Sequence, residues 1–277
     1  MNLLSIRDLR VSFPGTGLRA RRTDVLTGVS LDIRRGETLG LVGESGSGKT
    51  TIGRAVLGLV PVASGTITFD GQRIDGASRS RRRQLARELQ VVFQDPYTSL
   101  NPAMPVGATL AEPLIAQGVA GAQAQRTIAE LLDRVRLPRT SVDRLPREFS
   151  GGQRQRIAIA RALALSPRLV VCDEPVSALD LTTQEAVLEL LTEIQDDTGV
   201  AYLFISHDLT VVRHLSHRVA VIHRGEIVEQ GDTAEVTERP QHPYTRKLLL
   251  AAPVVDPVRQ RERRLAFARE FGREEAR

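Results

Sequence analysis

The chain is poor in cysteine, in lysine and in long apolar runs. Cys172 is its one cysteine. An internal disulfide and a cysteine-ligated metal cluster within the chain are therefore excluded. Cys172 reads as a small core residue in a buried strand, with a redox switch as the alternative. No apolar stretch approaches the roughly 18 residues that cross a bilayer. The start, Met1-Asn2-Leu3-Leu4-Ser5-Ile6-Arg7-Asp8, puts charges where a signal peptide needs an apolar core, so a cytoplasmic chain is expected. Lysine occurs only at Lys49 and Lys247, and the remaining cations are arginine. The net charge of +5 is too small an excess to argue for nucleic acid or anionic lipid. Arg79-Ser80-Arg81-Arg82-Arg83 reads as a solvated helix start, with direct phosphate or lipid contact as the alternative. At 277 residues, 41% hydrophobic and 26% charged, the chain can form one large α/β unit or two lobes.

What is present is concentrated in a few short strings. Gly43-Glu44-Ser45-Gly46-Ser47-Gly48-Lys49-Thr50 fits G-x-x-x-x-G-K-[ST] at every fixed position. Its glycines let backbone approach an anion, and successive N–H groups can point at phosphate oxygens. A predicted helix from Lys49 to Leu57, with Thr51 in its first turn, adds its positive end. Lys49 would reach the β- and γ-phosphates, and the Thr50 hydroxyl would bind Mg²⁺. The apolar run Thr38–Val42 before the loop predicts a buried strand, which separates this string from a Gly/Ser linker that happens to end in lysine.

A second predicted strand, Leu169–Cys172, ends in Asp173-Glu174. Open α/β sheets bind ligands at the carboxyl ends of their strands. Asp173 would hold Mg²⁺ through water, and Glu174 is placed to orient or deprotonate an attacking water. Two acids at a strand end are by themselves an ordinary solvated edge; the phosphate loop upstream gives them meaning.

The rest of the pattern frames these strings. Leu3–Phe13 and Val25–Ile33 read as antiparallel strands joined by an Arg-rich loop with Pro14, Gly15 and Gly17. Gly65–Gly71 and Leu89–Phe93 read as further strands. From Asp95 to about Arg161 the apolar residues take helical spacing, as in Ile128, Leu131, Leu132 and Val135. Tyr202–Ile205 is a strand ending at Ser206-His207-Asp208, and Arg218–His223 with Glu226–Glu229 form a hairpin around Gly225. After Pro240 a tail is expected, and its charged end, 258–277, is open between helix and disorder.

Ser150-Gly151-Gly152-Gln153 opens a helix with capping-box spacing. A capped helix is the plain reading. Two glycines after the cap also leave backbone N–H groups at a positive helix end, an anion site. One phosphate loop already serves this chain, so a second anion site suits another subunit's nucleotide.

Together the phosphate loop, Gln94, Phe149-Ser150-Gly151-Gly152-Gln153, Asp173-Glu174-Pro175, Ser177-Ala178-Leu179-Asp180 and His207 resemble the ATP-binding cassette ATPases of membrane transporters. The resemblance spans nearly the whole chain. It implies an α/β fold: a P-loop NTPase (RecA-like) core, an antiparallel β subdomain and an inserted α-helical subdomain. The implied division is 1–94 with 162–235 for the nucleotide-binding core, 95–161 for the helical lobe and 236–277 for a C-terminal extension. In that family two such domains dimerise head to tail over two ATP molecules. The resemblance assigns Gln94 to Mg²⁺ and to sensing the lobe that touches the permease. It assigns Ser150, Gly151, Gly152 and Gln153 to the partner's ATP, 177–180 to communication across the dimer, and His207 to the γ-phosphate. Phe13 falls where the family stacks an aromatic on adenine; a plain core residue is the alternative.

Val92–Pro102 and His242-Pro243-Tyr244-Thr245 resemble the dipeptide/oligopeptide import branch. Some members carry a C-terminal cysteine cluster for iron–sulfur binding; this tail has no cysteine, so that cofactor is not carried over. The expected function is an ATPase subunit, at the cytoplasmic face of the membrane, energising uptake of peptides or similar small solutes. Its partners would be permease subunits, a second ATPase subunit and, indirectly, a solute-binding protein. The alternative is a cassette ATPase acting on nucleic acid or ribosomes, a class whose zinc cysteines, long coiled coils and fused double cassettes this chain lacks. A catalytically silent regulator is argued against by Lys49, Asp173, Glu174 and His207.

Overall fold

The computed structural model describes residues 2–15, 22–95, 99–119, 121–251 and 261. The expected Arg-rich loop around Gly17 and the charged end 258–277 lie largely outside these residues.

Two sheets carry the fold. A four-stranded antiparallel sheet has the order β2-β1-β4-β5, from β1 (Asn2–Phe13), β2 (Thr23–Arg34), β4 (Ser64–Phe69) and β5 (Gln72–Arg73). A six-stranded sheet has the order β10-β9-β3-β8-β7-β6, from β3 (Thr38–Val42), β6 (Leu89–Val92), β7 (Leu169–Asp173), β8 (Ala201–Ser206), β9 (Arg218–His223) and β10 (Glu226–Asp232). In the second sheet β9, β3, β8, β7 and β6 run parallel, and only β10 is antiparallel. The sequence expectation of an α/β chain with an antiparallel β part holds.

The parallel strands read as unbroken apolar runs because both faces are covered. Period-2 alternation then sorts their side chains between two cores. Leu39, Leu41, Leu169, Val171, Leu203 and Ile205 join α1 (Lys49–Leu57) and the antiparallel sheet on one side. Val170, Cys172, Tyr202 and Phe204 join the helices on the other. Cys172 is fully buried, and burial drives its thiol pKa well up, which leaves it a core residue rather than a redox switch.

The helical lobe is built by α3 (Val106–Ala116), α4 (Gly121–Arg134) and α5 (Gly151–Leu163), after the short α2 (Arg79–Leu85). The spaced quartet Ile128, Leu131, Leu132 and Val135 is buried in the same core as the sheet's second face. Arg82 departs from the expectation of a solvated run. Its guanidinium donates to the Ile74 carbonyl at 2.8 Å and lies over the left-handed Gly58 that ends α1. Leu100 is a core residue, 2% exposed. After β7 come α6 (Leu181–Thr198), α7 (Leu209–Leu215) and α8 (Thr233–Glu238). Beyond Pro240 the chain does not trail away: α9 (Pro243–Ala251) packs Leu248 and Leu249 back against the core.

Candidate functional site

The strand order brings four separate chain segments to one edge. β3, β8, β7 and β6 are neighbours in that order, and their pairing aligns Val42 with Ser206, Ile205 with Asp173, and Cys172 with Val92. The next residues are therefore adjacent in space: the phosphate loop after β3, His207 after β8, Glu174 after β7 and Gln94 after β6.

The loop at 43–50 closes on itself around Lys49. Gly48 caps α1 at φ +110°, and a Cβ there would meet Leu26 Cδ2 at 2.7 Å. A Cβ on Gly43 would lie 2.2 Å from the Ile222 carbonyl of β9, so only glycine lets the loop leave the sheet here. Lys49 Nζ donates to the carbonyls of Gly43 at 2.7 Å and Glu44 at 2.9 Å. Lys49 is 4% exposed. Burial pulls its ammonium below the ordinary lysine range, against the opposing charges of Glu174, Asp173 and Glu44.

Thr50 Oγ1 donates to Asp173 Oδ1 at 2.9 Å. Burial raises the Asp173 pKa; the Thr50 bond opposes this and the neighbouring Glu174 charge adds to it. Glu174 sits at φ +48°, in the left-handed region that non-glycine residues seldom occupy. Its N–H donates to the Ile205 carbonyl at 3.0 Å and its carbonyl accepts from the Ser177 hydroxyl at 3.1 Å. The turn aims the carboxylate along the strand ends. Gln94 Nε2 donates to Glu174 Oε2 at 3.3 Å, and His207 Nδ1 lies 3.1 Å from the same oxygen. Gln94, Glu174 and His207 line one cleft of about 660 Å³ with Val25, Ser45, Gly46, Gly48, Lys49, Thr50 and Thr51. Val25 alone in that lining escaped the sequence reading. A second cleft, of about 850 Å³, runs from Thr50, Gln94 and Asp173 to Glu112, Pro113 and Arg161 of the helical lobe.

Two predicted groups are not brought to the cleft. Phe13 ends β1 opposite Thr23 and packs, half-buried, on the core of the antiparallel sheet. The peptide at 150–153 forms its capping box as expected: Gln153 N–H donates to Ser150 Oγ at 3.3 Å, and Ser150 N–H to Gln153 Oε1 at 3.0 Å. Gly152 has a packing role as well, since a Cβ there would lie 2.3 Å from Thr183 Cγ2 on α6. Thr183 is fixed by Asp180, the N-cap of α6, whose Oδ2 accepts from Thr183 Oγ1 at 2.7 Å. One residue was missed outright. The Tyr244 hydroxyl accepts from the Glu44 N–H at 3.0 Å, tying α9 to the phosphate loop.

Known proteins resemble this chain in sequence and fold. The ABC transporter family model matches residues 26–177, and the oligopeptide/dipeptide transporter C-terminal region matches 228–270. The glutathione import ATP-binding protein GsiA of Salmonella paratyphi A is 51% identical over 271 residues, covering 96% of this chain and 44% of that protein. Its counterpart in Pectobacterium atrosepticum is 49% identical, covering 97% of this chain and 44% of the relative. The chain thus spans less than half the length of these curated relatives. Among solved structures, cbiO1 from Clostridium perfringens, part of the ABC transporter complex cbiONQ, superposes with a TM-score of 0.77 at 27% identity, covering 86% of this chain and 91% of that one. The ATP-binding cassette MJ0796, a dimer in a post-hydrolysis state with ADP and Pi, gives 0.74 at 26% identity, covering 83% and 98%. Both family matches are to transporters, and neither supports the nucleic-acid reading. Among the described residues no helix is long and apolar enough to cross a membrane.

Proposed function

This chain belongs to the ABC transporter ATPase family, and from that premise we propose that it binds and hydrolyses ATP to energise import of peptides or similar small solutes. Glutathione, which the GsiA relatives import by name, lies within that solute class. The observation that carries the reading is the meeting of the phosphate loop, Asp173-Glu174, Gln94 and His207 at adjacent strand ends.

The loop amides and the start of α1 would hold the triphosphate. Lys49 would exchange the carbonyls of Gly43 and Glu44 for β- and γ-phosphate oxygens. Glu174 is the carboxylate that orients water and accepts its proton. Water oxygen then bonds to the γ-phosphorus as the bond to the β,γ-bridging oxygen breaks, leaving ADP and phosphate. His207 and Gln94 both contact the Oε2 of Glu174 and would reach the γ-phosphate beside it.

For Mg²⁺ the donors are the Thr50 hydroxyl, the Asp173 carboxylate and the Gln94 side chain, an oxygen-rich set suited to a hard cation. The raised pKa of Asp173 fits this assignment, because a cation would relieve a buried carboxylate. When bound, Mg²⁺ would neutralise phosphate charge.

We assign Ser150, Gly151, Gly152 and Gln153 to the ATP of a second subunit, and the family resemblance alone assigns Phe13, which lies outside the cleft lining, to adenine. By the family resemblance the lobe 95–161 would meet a permease segment, and a push on the lobe would move Gln94, which shares a cleft with Glu112, Pro113 and Arg161. The chain would then work on the cytoplasmic face of the membrane with permease and second ATPase subunits, and indirectly with a solute-binding protein. The test is ATP turnover by Glu174→Gln. Turnover should fall by about two to four orders of magnitude with ATP still bound; a wild-type rate would reject the assignment.

A further inference from the structure

We propose that Tyr244 is a positioning residue for the phosphate loop, which makes the C-terminal helix α9 a part of the nucleotide site. The inference rests on the reading of 43–50 as that site.

The Glu44 residue is held from two sides. Inside the loop its carbonyl accepts from Lys49 Nζ at 2.9 Å and from the Ser47 N–H at 3.2 Å. Outside, its N–H donates to the Tyr244 hydroxyl at 3.0 Å, across 200 residues of sequence. When Lys49 turns to phosphate, the carbonyls of Gly43 and Glu44 lose that partner. Neither Glu44 nor Tyr244 lines the cleft, so nucleotide entry does not require their bond to break. Glycine at 43, 46 and 48 gives the loop many conformations to lose on binding. An anchor that survives nucleotide entry therefore lowers the ordering cost of binding.

The anchor itself is rigid. Tyr244 is 8% exposed, and its ring lies 3.9 Å, centroid to centroid, from that of His223 at the end of β9. Its N–H donates to His242 Nδ1 at 3.2 Å. The Glu229 carboxylate on β10 accepts from the N–H groups of Gln241 at 2.8 Å and His242 at 3.0 Å, fixing the turn into α9. Burial alone would push the Glu229 pKa up, but those N–H groups hold it below the ordinary range. The edge strand β10, the turn into α9, Tyr244 and the phosphate loop form one connected chain of hydrogen bonds.

The experiment uses the full chain as wild type, Tyr244→Phe and Lys49→Ala. Removing one hydroxyl leaves the ring on His223, so Tyr244→Phe should fold normally, with a melting temperature within about 2 °C of wild type. Its Kd and KM for ATP should rise by about threefold to tenfold, with kcat within about twofold, and amides 43–50 should exchange hydrogen faster. Wild-type ATP affinity with unchanged exchange in Tyr244→Phe, while Lys49→Ala loses ATP, overturns the anchor and spares the nucleotide site. A lowered melting temperature with unchanged KM also overturns it, because the hydroxyl would then serve folding alone. Retention of ATP by Lys49→Ala would instead reject the loop as the site.

Discussion

The starts of α1 and α5 are both helix N-termini preceded or opened by glycine, yet they are finished differently. At α1 the chain supplies its own company. Lys49 fills the loop, Thr50 bonds Asp173, and Glu174 is held by Gln94 and His207. At α5 the polar groups are closed on each other in the Ser150–Gln153 capping box, away from the cleft lining. A triphosphate needs compensation of its charge as well as N–H donors. The first helix start offers both, with Lys49 inside its loop; at the second, Ser150 and Gln153 are paired with each other and Arg154 donates to the carbonyls of Phe149 and Arg147. The second therefore makes chemical sense when another chain brings the nucleotide already bound, as in a head-to-tail pair.

The sharpest way to break this contrast is Lys49→Ala. If the α1 end is the self-sufficient one, ATP affinity should fall by about 100-fold, the loss of a charge-assisted contact. Titration with labelled ATP checks this; unchanged affinity would place the nucleotide elsewhere.

A smaller effect separates packing from anion chemistry at α5. Gly152→Ala would drive a methyl into Thr183 and disturb the Asp180 cap. The expected cost is about 1–3 kcal/mol of stability. Thr183→Ser removes the clashing methyl and keeps the hydroxyl, so the double variant should regain most of that loss in thermal unfolding. If the double variant then hydrolyses ATP like wild type, Gly152 serves packing; if it is stable and inactive, the bare backbone is required.

The contrast was only half legible in the sequence. The phosphate loop declared itself because its residues are contiguous and its flanking strand and helix have clear patterns. Asp173 and Glu174 stand out as a strand end and Gln94 and His207 through the family resemblance, and the parallel order makes the four neighbours. Thr183 beneath Gly152 was invisible, since no local pattern records which helix will pack on which. The same holds for α9. The string 242–245 was noticed as a branch mark and Pro243 suits a helix start, but nothing near it points to Glu44. Arg82 differs for a related reason: an arginine in a charged run reads as solvated, and its half-buried place comes only from tertiary neighbours, the Ile74 carbonyl and Gly58.

The central claim is that one chain completes the α1 site while α5 waits for a partner's ATP, and sedimentation of Glu174→Gln with Mg²⁺ and ATP tests it most directly. The account predicts a stable dimer holding two nucleotides. Adding Ser150→Arg to that variant should abolish the dimer while each chain still binds ATP. A Glu174→Gln, Ser150→Arg chain that dimerises on ATP as readily as Glu174→Gln alone would contradict it.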